Sequence, residues 1–209
     1  MNDKITDIMA RLPSGGRLVA SSKTRTAEEV EAAYEAGIKH FGENYVQEGG
    51  AKAEAVSSVT WHLIGPLQSN KVNKAMAVFD VFHTVDREKL LNKLDTAAAE
   101  LGKTPEVFLQ VNVGREPQKA GVMPEDLSAL VSAAGGCKNL KLVGLMTIPP
   151  AGVNMSAPDP TVFFTQLRRM AEEFNLPRLS MGMSGDWQTA LNHGATDIRL
   201  GTALFGERG

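Results

Sequence analysis

The sequence predicts an α/β fold, a single (β/α)8 barrel of the TIM type with one extra N-terminal helix, and three observations point there. Short apolar runs alternate with helical patterns along the chain. Eight such runs can be counted, and strands separated by helices imply right-handed crossovers and a parallel sheet. A length of 209 residues suits eight units closed into one domain over residues 1–209. A doubly wound open sheet is the alternative, but no GxGxxG follows the first strand, which argues against its dinucleotide-binding version.

Ile5, Ile8, Met9 and Leu12 recur at helical spacing until Pro13, Gly15 and Gly16 stop the pattern, so the chain opens on a short amphipathic helix. Arg17–Ser22 reads as the first strand, Ala27–Ala36 as a helix ended by Gly37, Lys39–Gly42 as a strand and Asn44–Ala55 as a helix. The alternation continues with strands at Thr60–Ile64 and Val81–Val85 and helices at Ser69–Val78 and Arg87–Leu101, the last closed by Gly102. The second half predicts strands at Val107–Val113, Leu140–Ile148, Arg178–Met183 and Ile198–Leu204. Helices at Pro124–Ala134, Pro160–Phe174 and Gly185–His193 separate them. Few residues follow the eighth strand, so the opening helix is expected to cover the face an eighth helix would otherwise occupy.

Composition narrows the function. With 43% apolar and 22% charged residues the chain reads as ordinary globular protein. The net charge is −2 and the basic residues are scattered, so no nucleic-acid footprint is present. Cys137 is the single cysteine, which excludes an internal disulfide and reads as a free thiol in a reducing compartment. Asp3, Asp7 and Arg11 interrupt the apolar positions of the first residues, so no signal peptide is expected, and no run is long enough for a membrane span. A cytoplasmic protein is expected.

A barrel of this kind builds its active site at the C-terminal ends of its strands. The polar residues predicted there are Lys23, Glu43, Asn44, His83, Asn112, Ser184, Arg199, Gly201 and Thr202. Lys23 ends the apolar run Leu18–Ala20; held inward, its amine would be desolvated and suited to imine formation with an aldehyde. A surface lysine at a strand end is the alternative reading. The segment Ser180–Asp186 runs from a strand into a helix and offers backbone amides to an anion, or simply caps its own helix. Arg199–Thr202 gives a second donor group, and period-two alternation points Arg199 and Gly201 inward together. A buried arginine needs a partner, either a ligand atom or a carboxylate. His40, His62, His83 and His193 lack metal-ligand spacing, and Trp61 and His62 read as packing or barrel-layer residues.

Seven segments taken in order, Ala20–Lys23, Phe41–Glu48, Trp61–Lys71, Gln110–Asn112, Gly144–Met146, Leu179–Ser184 and Arg199–Thr202, closely resemble the YggS/PROSC family of pyridoxal phosphate homeostasis proteins. The resemblance runs from about Leu18 to the C-terminus; it departs in a short N-terminal lead and a divergent loop around Ala151–Pro160. It implies a fold like the N-terminal barrel domain of alanine racemases and pyridoxal 5′-phosphate held as a Schiff base on Lys23. It further implies phosphate held by Ser184 with Gly201 and Thr202, and Arg199 facing the pyridine nitrogen; Asn44 and Asn112 complete the expected binding set. An arginine there keeps the ring neutral and a poorer electron sink, since it does not give up its proton.

Two functions follow from the resemblance. One is a non-catalytic carrier in pyridoxal phosphate homeostasis, a monomer that exchanges the cofactor with pyridoxal-phosphate-dependent apoenzymes or free amino acids and has neither nucleic-acid nor membrane partners. The other is an amino-acid racemase, for which Lys23 would serve one face and Tyr45 is the only nearby phenol for the other. A class I aldolase using Lys23 fits the same amine and phosphate logic, and only the motif match argues against it.

Overall fold

Eight parallel strands close on themselves in chain order, with β1 (Arg17–Ser21) hydrogen-bonded to both β2 (His40–Glu43) and β8 (Asp197–Leu200). Between them lie β3 (Thr60–Leu63), β4 (Val81–Val85), β5 (Glu106–Gln110), β6 (Lys141–Met146) and β7 (Arg178–Ser180). The computed structural model describes residues 2–150 and 159–206. Most of the divergent loop around Ala151–Pro160, residues 151–158, lies outside the described residues.

The connecting helices are α2 (Ala27–Glu35), α3 (Val46–Ala55), α4 (Val72–Val78), α5 (Glu88–Leu101), α6 (Leu127–Gly136), α7 (Pro160–Glu173) and α8 (Trp187–Asn192). Their boundaries follow local chemistry. Thr26 and Glu29 form a reciprocal capping box at the start of α2, and Gly102 at φ 60° ends α5 in the left-handed conformation that costs glycine little. Helix α5 buries Leu90, Leu91, Leu94, Ala97 and Ala98 on one face against the strands. Each fully buried leucine contributes about 1.5–3 kcal/mol by leaving water. No described helix is long and apolar enough to cross a membrane.

The opening helix α1 (Asn2–Ala10) packs against β1, burying Ile5 and Ile8, and Arg11 beyond it lies over the Trp187 ring of α8. It thus covers the closure of the barrel near β8, as expected. The eighth strand is shorter than predicted: it ends at Leu200, and Thr202–Phe205 form a short helix, α9, where the apolar alternation reads as strand. Strand β7 also stops early, at Ser180, and β5 stops at Gln110 because the next residues turn to pair with Val122.

The barrel interior divides into an apolar and a polar side. Val81, Phe108, Val143 and Met146 form a small cluster of their own, separate from the larger core between strands and helices. The β5–β6 register slips by one residue at Val143, which lets Val143 and Met146 share that cluster against strict alternation. At the N-terminal ends of the strands, Arg17 pairs with Glu106 at 2.6 Å and Arg178 grips Asp197 through two nitrogens. These ion pairs plug the bottom of the barrel, leaving the opposite end for chemistry.

Candidate functional site

A cavity of about 370 Å3 opens at the C-terminal ends of the strands, within the range of small-ligand sites. Its lining includes Lys23, Asn44, Ser184, Arg199, Gly201 and Thr202, gathered from the segments after β1, β2, β7 and β8. Six of the seven residues expected to bind a ligand therefore meet there. Asn112 does not line this cavity: its amide group donates to Glu116 O at 2.9 Å and accepts from Glu116 N at 3.2 Å. Its side chain is committed to holding the loop after β5.

Lys23 is half-buried, in the turn just past β1 rather than on the strand. Among the described residues its amine has no hydrogen-bond or salt-bridge partner within 4 Å. The backbone on either side is clamped. Ser22 Oγ donates to Glu43 Oε1 at 2.6 Å, Lys52 Nζ donates to Ser22 O at 2.5 Å, and Thr24 N donates to Glu48 Oε1 at 2.6 Å. Lys52, almost fully buried on α3, joins the two carboxylates at 2.7 and 2.8 Å. Thr24 sits at φ 65°, a conformation unfavourable for a β-branched residue, so the turn beside Lys23 is strained and held by these bonds. Burial pushes the Glu43 carboxyl up, against the pull of Lys52 and Ser22, and its Oε2 has no partner among the described residues.

In the same lining, Ser184 Oγ accepts from Ala203 N at 3.2 Å and so ties the segment after β7 to the start of α9. The amides of Ser184, Gly185 and Thr202 donate to no described residue. All three residues line the cavity, which gives its wall a set of donors without acceptors. Asp186 occupies the N-cap position of α8 without a side-chain capping bond; its carboxylate accepts from Met183 N at 2.6 Å and shapes the preceding turn. Arg25 bonds Gly206 O at 2.9 Å and lies over Phe205, joining the Lys23 turn to α9.

Arg199 is buried and meets no carboxylate within 4 Å among the described residues. Its partners are neutral: Nη1 donates to Ser180 Oγ at 2.5 Å and Nη2 to Thr147 O at 2.9 Å. Burial pulls it down to about 10, opposed by Asp186 and Asp197, so it is a cation at neutral pH.

Behind Arg199 runs a feature that sequence reasoning missed. His83 Nδ1 lies 2.7 Å from Ser180 Oγ, His62 Nδ1 lies 2.8 Å from His83 Nε2, and His40 Nδ1 lies 3.0 Å from His62 Nε2. The chain crosses the barrel from its ion-paired base to the cavity. Burial, with the nearby cations adding, holds His62 and His83 well below the ordinary histidine range and lowers His40 to about 4. The readable signal is spacing: steps of 22 and 21 residues, one βα repeat each, return histidine to the same inner side of successive strands.

The cavity fits pyridoxal phosphate by its donor chemistry: its lining combines a free amine, unused backbone amides, a hydroxyl and a guanidinium. Comparison with known proteins agrees on kinship. The family model for the alanine racemase N-terminal domain matches residues 1–209. The pyridoxal phosphate homeostasis protein of Synechocystis sp. is 43% identical over 97% of this chain and 96% of its own, and that of Homo sapiens is 38% identical over 100% and 84%. The structure of PipY from Synechococcus elongatus with pyridoxal phosphate bound superposes with a TM-score of 0.89 at 40% identity, covering 98% of this chain and 99% of PipY. Alanine racemase of Clostridium difficile shares the fold alone, with a TM-score of 0.79 at 13% identity over 98% of this chain and 56% of its own. The chain belongs to the alanine racemase N-terminal domain family, among the pyridoxal phosphate homeostasis proteins.

Proposed function

We propose that this protein is a cytoplasmic, single-domain carrier that holds pyridoxal 5′-phosphate as a Schiff base on Lys23 and releases it to apoenzymes or amino acids. The observation that carries the reading is the cavity itself, lined by both an unpaired amine and unused backbone donors. The relatives named for pyridoxal phosphate homeostasis and the PipY structure with this cofactor support it. When bound, the cofactor supplies an aldehyde, a pyridine ring and a phosphate. Lys23 is the amine for the aldehyde, Ser184 with Gly201 and Thr202 holds the phosphate, with the Gly185 amide beside them, and Arg199 faces the ring nitrogen while keeping its own proton. Asn44 lines the same wall, and Asn112 supports the site by fixing its loop.

The test is to mix the purified protein with pyridoxal phosphate, reduce with borohydride and locate the adduct by peptide mass. Label on Lys23, abolished in Lys23→Ala with the fold intact, is expected. Label at full yield in that variant would assign attachment to another lysine.

Racemase-like turnover is the competing reading, and Tyr45 bears on it. The residue is 66% exposed and does not line the cavity, so it is poorly placed as a second base. Incubation of the loaded protein with L-alanine in deuterated water should therefore leave the Cα proton in place by NMR, while the cofactor passes to an added apoenzyme. Steady deuterium incorporation, lost in Lys23→Ala, would replace the carrier by an enzyme.

A further inference from the structure

We propose that Ser180, His83, His62 and His40 form a one-way hydrogen-bonded array that positions Arg199, with all three imidazoles carrying their single proton on Nε2.

Direction follows from donor and acceptor counting. A guanidinium only donates, so Ser180 Oγ accepts from Arg199 Nη1. The Ser180 proton then has one acceptor among the described residues, His83 Nδ1. Placing a proton on that nitrogen would strand the buried hydroxyl, a loss of about 1–3 kcal/mol. His83 Nδ1 is therefore a bare lone pair, and its Nε2–H donates to His62 Nδ1. By the same count His62 Nε2–H donates to His40 Nδ1, and the array ends on the half-buried His40 ring. A second proton on His62 or His83 would set two N–H groups against each other or strand Ser180, so the geometry has room for one proton per ring.

The consequence falls on Arg199. Every ring turns its lone-pair end toward the guanidinium, so aligned dipoles stand where a counter-ion would otherwise be needed. Phe108 stacks on His83 at 4.5 Å and 17° and keeps that ring from turning. The charged groups around the array oppose its protonation: Arg17 from β1, Arg178 from β7 and Arg199 from β8 outnumber the carboxylates Glu106 from β5 and Asp197 from β8. Held by Ser180 and Thr147, Arg199 keeps a fixed attitude in the cavity wall. The array belongs to the ligand-free chain; its use in orienting a bound ring rests on the carrier reading above.

The test is long-range proton–nitrogen correlation NMR on ligand-free protein labelled with nitrogen-15 in histidine, at pH 7.5. His40, His62 and His83 should each show a protonated Nε2 and a bare Nδ1; a proton on His83 Nδ1, or a charged ring, overturns the proposal. Ser180→Ala removes the terminal donor, so His62 and His40, which do not touch Ser180, should lose their single-tautomer signature along with His83. Ser180→Thr should restore it. A change confined to His83 would reduce the array to one local contact and refute the coupling. Should Ser180→Ala fail to fold, the wild-type spectrum still decides the direction. In loaded protein, Ser180→Ala should release pyridoxal phosphate several-fold faster while borohydride still traps it on Lys23. Unchanged release would deny Arg199 its role toward the ring, whereas no trapping in wild type would sink the carrier reading and leave the array untouched.

Discussion

Lys52 is the side chain on which the attachment turn depends most, and it shows what a single residue contributes here. It is nearly buried and meets Ser22 O, Glu43 and Glu48 at 2.5, 2.7 and 2.8 Å. Replacing it with methionine keeps the volume but leaves Glu43 buried beside only a hydroxyl. Breaking a buried pair from one side typically costs about 3–5 kcal/mol. Lys52→Met is therefore expected to lose stability of that order in urea unfolding and to slow trapping at Lys23, because the strained Thr24 turn is released; adding Glu43→Gln should recover part of the stability. A variant as stable as wild type would show that the carboxylate finds water on its own. At this scale the sequence was partly legible. Lys23, Ser184 and Arg199 stand out because glycine, apolar runs and strand ends flank them. Lys52 did not, since an i,i+4 Glu48–Lys52 pair reads as an ordinary solvated helix face until tertiary packing closes over it.

At the level of elements, the strand order and the N-terminal helix were readable because hydrophobic period survives without tertiary context. Ends were less so. The alternation through Leu204 reads as strand, yet Gly201 takes φ −118° and ψ −83°, the chain leaves the sheet, and Ser184 bonds the next turn. That departure is a long-range event between the segments after β7 and β8. Asn112 stands away from the cavity for a related reason: a polar residue at a strand end can serve its own loop as well as a ligand. Element junctions can be tested at Gly65, just past β3. A Cβ there would lie 2.3 Å from Asn44 O and 2.6 Å from Asn44 Cα, backbone that cannot swing away. Gly65→Ala should destabilise by about 1–3 kcal/mol, as overpacking does, and weaken retention of pyridoxal phosphate because Asn44 lines the cavity. An unchanged unfolding midpoint would mean that the two loops part freely.

The whole molecule is a shell of apolar packing around an interior that is half polar, and this has a measurable price in acid. His62 and His83 are fully buried and neutral, with their folded values well below the ordinary 6.5. The unfolded chain takes up protons on these rings as pH falls through about 6.5, while the folded chain does not. Stability therefore rises with pH wherever the unfolded state holds more protons, and it is lost as pH falls from about 6.5 toward the depressed folded values. Each of the two rings contributes up to about 1.4 kcal/mol per pH unit within that window. The half-buried His40, lowered to about 4, acts in the same direction with a smaller effect because water screens it. Burial pushes the Glu43 and Asp197 carboxyls upward, which opposes this trend as pH falls, while ordinary carboxylates titrate near 4, so the histidine contribution is read over the interval from pH 7.5 to 5.5, where it sets in first. Urea unfolding across that interval should show a falling free energy that steepens below pH 6.5, with little change above pH 7. A flat profile would mean that the imidazoles protonate in the folded protein, which the opposed N–H groups of the array forbid.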